Sequence, residues 1–188
     1  MILAAVLDTS VLFPQLLRDT LLRVASQGLY RPLWTAEILR ELSQQIPAAY
    51  PDRPPDIDRT IGFMRVAFPD AEVVGYDDLV PTIEIPDAKD RHVVAAALRG
   101  GADLIVTRNL ADFPASVLRS VGLEAQSPDA FLLERFDERP DRVLEALREQ
   151  AGAYRRPPMT VDELVAGLEA RHGLTDFVAA VRRGLRRD

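Results

Sequence analysis

Residues 86–114, PDAKDRHVVAAALRGGADLIVTRNLADFP, constrain the fold more than any other stretch of this chain. They read as an acidic helix start, an apolar helix, a glycine stop, a buried strand and a polar loop. Asp87 and Asp90 bracket the first helical turn. Val93, Val94, Ala96, Ala97 and Leu98 supply an apolar stripe near the helical period, and Gly100-Gly101 end it. Leu104, Ile105 and Val106 form a continuous apolar run, the pattern of a parallel strand buried on both faces. Thr107, Arg108, Asn109 and Asp112 follow at the carboxyl end of that strand. Open α/β sheets bind their ligands at the carboxyl ends of the strands, so acids from two elements are delivered to one edge. Asp103 precedes the strand, belongs to the opposite edge and is excluded.

The chain opens on the same pattern. Ile2 to Leu7 is an apolar run that ends in Asp8-Thr9-Ser10. An acid ending such a strand lies close to the core, and with no basic neighbour it needs a metal, a hydroxyl or a backbone N–H as partner. Residues 11–27 are predicted helical up to Gly28, and Pro32-Leu33-Trp34 extended. Thr35 can cap a helix that runs to about Pro47. On that helix Glu41 lies nearer the stripe of Ile38, Leu39, Leu42 and Ile46 than Glu37 does, which makes Glu41 the better candidate for a partly buried acid.

Further along, YPDRPPD around residues 50–56 predicts a loop, residues 57–68 a helix and Val73-Val74 a strand. A short helix is expected over 114–121, an edge strand at 123–125 and a helix over 140–153. Ser127-Pro128 reads as an N-cap followed by proline at the first helical position. Arg155-Arg156-Pro157-Pro158 is the sharpest compositional break; beyond it Thr160 and Glu163 make a capping box and His172-Gly173 separate two short helices. On the last helix Leu174, Phe177, Val178, Val181 and Leu185 share one face, with Arg182, Arg183, Arg186 and Arg187 mainly off it. The expected division is a sheet domain over 1–135 and a helical extension over 136–188.

A length of 188 residues suits one domain with an appendage. The absence of cysteine excludes disulfides and thiolate metal sites. No apolar run reaches the roughly 18 residues that suggest a membrane span, and the first ten residues lack the basic start of a signal peptide. A soluble, cytoplasmic protein without membrane attachment is the expectation. The net charge of −6 argues against nonspecific nucleic-acid binding by the whole surface. From Arg155 onward seven arginines face five acids, so the preceding part carries −8 and the tail is mildly basic.

Taken singly, each acid has an ordinary reading. Asp87 and Asp90 have the spacing of helix-capping residues, Glu41 that of a solvated helix acid, and Asp112 can cap the next helix. Convergence changes the reading. Asp8, Asp90 and Asp112 fall at one sheet edge by independent reasoning, and Glu41 can reach it. Two carboxylates about 4 Å apart repel by roughly 4 kcal/mol at an effective dielectric near 20, so a cation is needed to neutralise them. Oxygen donors without cysteine select hard ions, Mg²⁺ or Mn²⁺, which engage phosphate and activate water. Ser10 and Thr107 are candidates to orient water or phosphate, and Arg91 and Arg108 to contact phosphate. His92, two residues beyond Asp90, points elsewhere on its helix and receives no catalytic role.

Asp8-Thr9-Ser10-Val11-Leu12, the helical Glu41, Asp90-x-x-Val-x-Ala-x-Ala, and Val106-Thr107-Arg108-Asn109 followed by Asp112-Phe113 resemble the PIN-domain nucleases. They are most similar to the VapC-type toxins of bacterial toxin–antitoxin pairs. The resemblance covers roughly residues 1–135, and the helices from 136 resemble an extension of one VapC-like subgroup. It implies a three-layer α/β/α fold with a parallel sheet, Mg²⁺- or Mn²⁺-dependent cleavage of RNA, homodimers, and a small antitoxin protein as inhibitor. Many relatives carry an acid immediately after the Thr-Arg pair, where this chain has Asn109. Either Asp112 supplies the fourth carboxylate, or three acids act with Asn109 as a neutral ligand; Asp87 stands one step further out.

Other readings of a strand-end acid fit less well. A phosphoacceptor receiver domain needs a lysine after a late strand, and the single lysine, Lys89, is on the wrong element. A haloacid-dehalogenase-type phosphatase needs an acid two residues after its nucleophile, where Ser10 stands. The rivals are a catalytically silent PIN-like module that binds RNA or protein, and a housekeeping RNA-processing nuclease.

Overall fold

The computed structural model describes residues 2–52 and 55–186; Arg53 and Pro54 of the expected loop and Arg187 of the terminal arginines lie outside the described residues. The chain divides into two compact units. One comprises Leu3–Phe13 and Arg31–Gln126, the other Pro14–Tyr30 and the chain from Ser127 onward. The segment 14–30, and the start of the C-terminal helices before 136, thus group apart from the sheet.

The helix expected over 11–27 is two helices, α1 (Thr9–Leu12) and α2 (Gln15–Ser26). Pro14 separates them. Its backbone is extended (φ −73°, ψ 118°) and it has no N–H to continue the helical ladder.

In the first unit β1 (Ala4–Leu7), β2 (Arg31–Thr35), β3 (Glu72–Val73), β4 (Leu104–Val106) and β5 (Glu124–Gln126) form one parallel sheet, in the order β3-β2-β1-β4-β5. Its helices are α1, α3 (Ala36–Ala49), α4 (Ile57–Ala67), α5 (Arg91–Gly100) and α6 (Ala115–Ser120). Strands β1 to β3 step outward one way, and β4 and β5 the other. Right-handed crossovers therefore place α3 and α4 on one face and α5 and α6 on the other, giving three layers. Ala5, Val6, Leu7, Ile105 and Val106 are fully buried, as continuous apolar strands covered on both faces should be. Thr35 caps α3 by accepting from Ile38 N–H at 3.1 Å. Between β1 and β4 the strand order reverses, and there the sheet opens a crevice at its carboxyl edge. The opposite edge is closed by Asp103, whose N–H donates to Ala4 O (2.8 Å) and whose Oδ2 accepts from Ala4 N–H (2.7 Å).

The second unit packs α2 with α7 (Pro128–Glu138), α8 (Pro140–Ala153), α9 (Val161–His172) and α10 (Thr175–Leu185). Ser127 caps α7, with Pro128 at the first helical position. Thr160 and Glu163 form the capping box of α9, which Gly173 ends in the left-handed region at φ 71°. Thr20 Oγ1 donates to Gln150 Oε1 at 2.8 Å, joining α2 to α8. Leu174, Phe177, Val178 and Val181 are fully buried, as the stripe requires. The N-cap position of α10 is Leu174, which has no polar side chain to cap it. Asp129 on α7 does so instead, accepting from Phe177 N–H (2.9 Å) and Asp176 N–H (3.2 Å). Among the described residues no helix is long and apolar enough to cross a membrane.

Helix α5 approaches β2 and β3 closely at Gly100. A β-carbon there would lie 2.8 Å from Val73 Cγ2 and 3.0 Å from Leu33 Cδ1. Alanine gains up to about 1 kcal/mol of helix propensity, but crowding a packed core costs roughly 1–3 kcal/mol. Both neighbours are buried, so crowding should win. Gly100→Ala is expected to lower the urea midpoint of the protein; a higher midpoint would show that β2 and β3 yield freely.

Candidate active site

Asp8 follows β1 and caps α1, and because β1 runs through the core its side chain is only 6% exposed. Its Oδ2 accepts from the hydroxyls of Ser10 and of Thr107, the latter at 2.8 Å. Each hydroxyl has one proton, and both are spent on Asp8. The hydroxyl oxygens in turn accept backbone N–H groups: Ser10 Oγ from Arg108 and Thr107 Oγ1 from Asn109, each at 3.0 Å. The 3.3 Å approach of Ser10 Oγ to Thr107 Oγ1 is thus a contact of two oxygens whose protons are committed elsewhere. Three donors, Ser10 N–H, Ser10 Oγ and Thr107 Oγ1, converge on Oδ2 of the Asp8 carboxylate.

Thr9 Oγ1 donates to Glu41 Oε2, tying α3 to the end of β1. Glu41 is the more buried of the two α3 acids, with 28% of its side chain exposed against 38% for Glu37. Asp87 caps the 3-10 turn Ala88–Asp90 by accepting from Lys89 N–H at 2.8 Å. Asp90 immediately precedes α5 and makes no side-chain capping bond. Helix capping therefore accounts for Asp87 and not for Asp90. Burial, followed by the negative charges of Asp8, Asp87, Asp112 and Glu41, pushes the Asp90 carboxyl up to about 6. Acids from several elements thus face one another without full compensation.

These groups meet in a cleft of about 540 Å³ lined by Asp8, Ser10, Glu41, Asp87, Asp90 and Asn109, with Lys89 and Arg108 also on its wall. Asp112, in the 3-10 turn Leu110–Asp112, is half-buried and is not among the lining residues described; it acts on Asp90 through its charge. Asn109 and Arg108 are exposed, whereas Thr107 is fully buried. Asp8, Glu41 and Asp90 offer an oxygen-only donor set with excess negative charge, which suits a hard divalent cation.

His92 departs from the sequence reading. It does not point away from the acids: it is 5% exposed, with Nδ1 3.8 Å from Glu37 Oε2 and Nε2 3.8 Å from Glu41 Oε1. Counting along α5 places it relative to Asp90 but not relative to α3. The available signal was a histidine inside an apolar stripe, which must find a polar partner when buried.

Comparison with known proteins fits this geometry. The PIN domain family model matches residues 4–111. The chain belongs to the PIN-domain family. A second model, described as the VapC50 C-terminal domain, matches residues 128–183. A Mycobacterium tuberculosis protein named "Putative ribonuclease VapC50" is 37% identical over 109 residues, covering 58% of this chain and 63% of that protein. The chain thus matches less than two thirds of that relative's length. No solved structure matches this chain. The PIN-domain match takes in Asp8, Glu41, Asp90 and Asn109 and ends one residue before Asp112.

The raised Asp90 carboxyl fixes a sign. A group whose folded-state pKa is raised binds its proton more tightly in the folded chain. Its stabilisation is fully present below the unfolded value of about 4 and is lost as pH rises through about 6. Metal-free protein should therefore lose melting temperature over that window relative to Asp90→Asn, and the variant should melt higher at neutral pH. Parallel profiles would show that Asp90 does not feel its neighbours.

Proposed function

We propose that this chain is a Mg²⁺- or Mn²⁺-dependent endoribonuclease and the toxin of a bacterial toxin–antitoxin pair. It acts in the cytoplasm as a homodimer and is held in check by a small antitoxin protein. The observation that carries the reading is the gathering of Asp8, Glu41 and Asp90 in one cleft, with Asp90 raised to about 6 by burial and by its acidic neighbours. Membership of the PIN-domain family and the ribonuclease name of the Mycobacterium tuberculosis relative support it.

Asp8, Glu41 and Asp90 would hold the cation, with Asn109 or Asp112 completing the set. When bound, Mg²⁺ or Mn²⁺ lowers the pKa of water and offsets charge developing on a phosphodiester. The chain's own groups prepare the place. Ser10 and Thr107 fix the orientation of Asp8, and Thr9 that of Glu41, so the acids are aimed before anything binds. Lys89 and Arg108 give the cleft the cations that a phosphate needs in an otherwise acidic unit.

Purified protein incubated with RNA and Mn²⁺ should yield products with 5′-phosphate and 3′-hydroxyl ends, since water and not the ribose 2′-hydroxyl attacks. EDTA should stop cleavage. Asp8→Asn should reduce it by about 100-fold or more, because even partners one shell beyond a metal cost roughly 10–100-fold. Products ending in 2′,3′-cyclic phosphate would overturn the mechanism. RNA binding without cleavage in Mn²⁺ would favour the silent module. Growth arrest relieved by the product of a small adjoining gene separates a toxin from a housekeeping nuclease.

The fourth position is open to a direct comparison. Calorimetric Mn²⁺ titrations of Asn109→Ala and Asp112→Asn should show weaker binding in only one of the two, and that one identifies the residue completing the set. Equal, unimpaired binding in both would leave a site of three acids.

A further inference from the structure

One buried imidazole is left outside this chemistry. His92 lies in the first turn of α5, 5% exposed, and its Nδ1 has no hydrogen-bond partner among the described residues. An unpaired buried nitrogen is costly, and native interiors leave few of them. The nearest anionic oxygens, Glu37 Oε2 and Glu41 Oε1, are each 3.8 Å from a ring nitrogen, beyond hydrogen-bond reach.

Glu37 and Glu41 are one helical turn apart on α3, on the same face. Each has its other oxygen occupied. Arg40 donates to Glu37 Oε1 at 3.1 Å, and Thr9 donates to Glu41 Oε2. One oxygen from each glutamate and one nitrogen of His92 lie within 4.8 Å of one another. A cleft of about 350 Å³, lined by Glu37, Tyr76, Asp77, Lys89 and His92 among others, gives solvent access to Glu37 and His92.

We propose that Glu37, Glu41 and His92 form a second cation site, taking Zn²⁺ with water as its fourth ligand. Three protein ligands and an open position are an ordinary zinc arrangement. The imidazole shifts the donor set from hard to borderline, which favours Zn²⁺ over the Mg²⁺ suited to the neighbouring oxygen-only cleft. Ligands about 2.0–2.1 Å from a tetrahedral zinc sit about 3.3 Å apart; one donor atom from each residue lies within 4.8 Å of the others, so the glutamate side chains must close by up to about 1.5 Å to share one ion. Ligation through Nδ1 would give the buried ring the partner it lacks. The site shares Glu41 with the oxygen-only cleft, while Glu37 and His92 belong to it alone, and it does not depend on the nuclease reading.

The chain has two histidines, His92 and His172, so imidazole nitrogen NMR resolves the ligand directly. Metal-stripped full-length protein titrated with Zn²⁺ should shift one imidazole only, and that signal should be the one missing from His92→Gln. In parallel calorimetry Glu37→Gln, at a half-exposed position that spares the fold, should weaken Zn²⁺ by more than about tenfold. Asp8→Asn should leave Zn²⁺ binding in place. Movement of the His172 signal alone, or of neither, would overturn the proposal. So would Zn²⁺ binding that survives Glu37→Gln and is lost in Asp8→Asn, which assigns the ion to the neighbouring cleft. None of these readouts depends on RNA cleavage.

Discussion

A single carboxylate oxygen, Asp8 Oδ2, ties together the two central strands at their carboxyl ends. One donor, Ser10, comes from the helix that follows β1; the other, Thr107, comes from the residue that follows β4. The backbone continues the same join, since Asp8 N–H donates to Val106 O at 3.1 Å, one step beyond the Leu7–Val106 pairing. Hydrogen bonds to an ionised acceptor are stronger than neutral ones, and burial strengthens them further. Without them Asp8 would be a buried charge with no compensation, a cost of several kcal/mol. The same contacts that join the ends of β1 and β4 therefore fix the orientation of the Asp8 carboxylate.

That arrangement leaves the site electrostatically unsettled. The hydroxyls satisfy Asp8 but do nothing for Asp90, which is half-buried, makes no capping bond and faces four other acids. Functional sites commonly hold such tension, at a cost in stability that the remainder of the fold must cover. Here the cover comes from dry strands, from the reciprocal Ala4–Asp103 bonds at the far edge, and from the close seat of α5 on the sheet at Gly100.

Much of this was legible along the chain, for a physical reason. Continuous apolar runs locate buried parallel strands, strand direction then assigns each flanking acid to an edge, and Asp8 and Asp103 fall on opposite edges as read. Capping chemistry is equally local: Thr35, Ser127, Thr160 with Glu163, and Gly173 do what their types predict. The failures involve contacts between elements. Helical spacing describes His92 within α5 but not which neighbouring helix it meets, so its place between Glu37 and Glu41 was missed. The periodicity of residues 11–27 hid the stop at Pro14, and no local signal reveals that α2 groups with helices more than a hundred residues later. The i, i+3 spacing of Asp87 and Asp90 suits a cap and a ligand equally; in space it is Asp87 that holds the Lys89 N–H.

Charge shows the same difference between chain order and space. Read linearly, the acidic part is followed by a basic tail. Grouped by compact unit, the helical unit carries thirteen basic and thirteen acidic residues and is neutral, because acids on α7 and α8 offset the terminal arginines. Arg182 is further tied to Glu169 at 2.9 Å within that unit. The whole net charge of −6 therefore sits on the sheet unit that bears the cleft. A polyanion approaching such a surface gains little long-range attraction from a neutral neighbour and meets a repulsive field at the acids. Lys89 and Arg108 are the local exceptions. On the proposed reading, a divalent cation among Asp8, Glu41 and Asp90 would offset the excess acid of the cleft where a phosphate would sit. On this electrostatic ground the proposed metal binding and phosphate binding would be one linked event, the acids that would repel a phosphate serving to recruit the ion that would attract it.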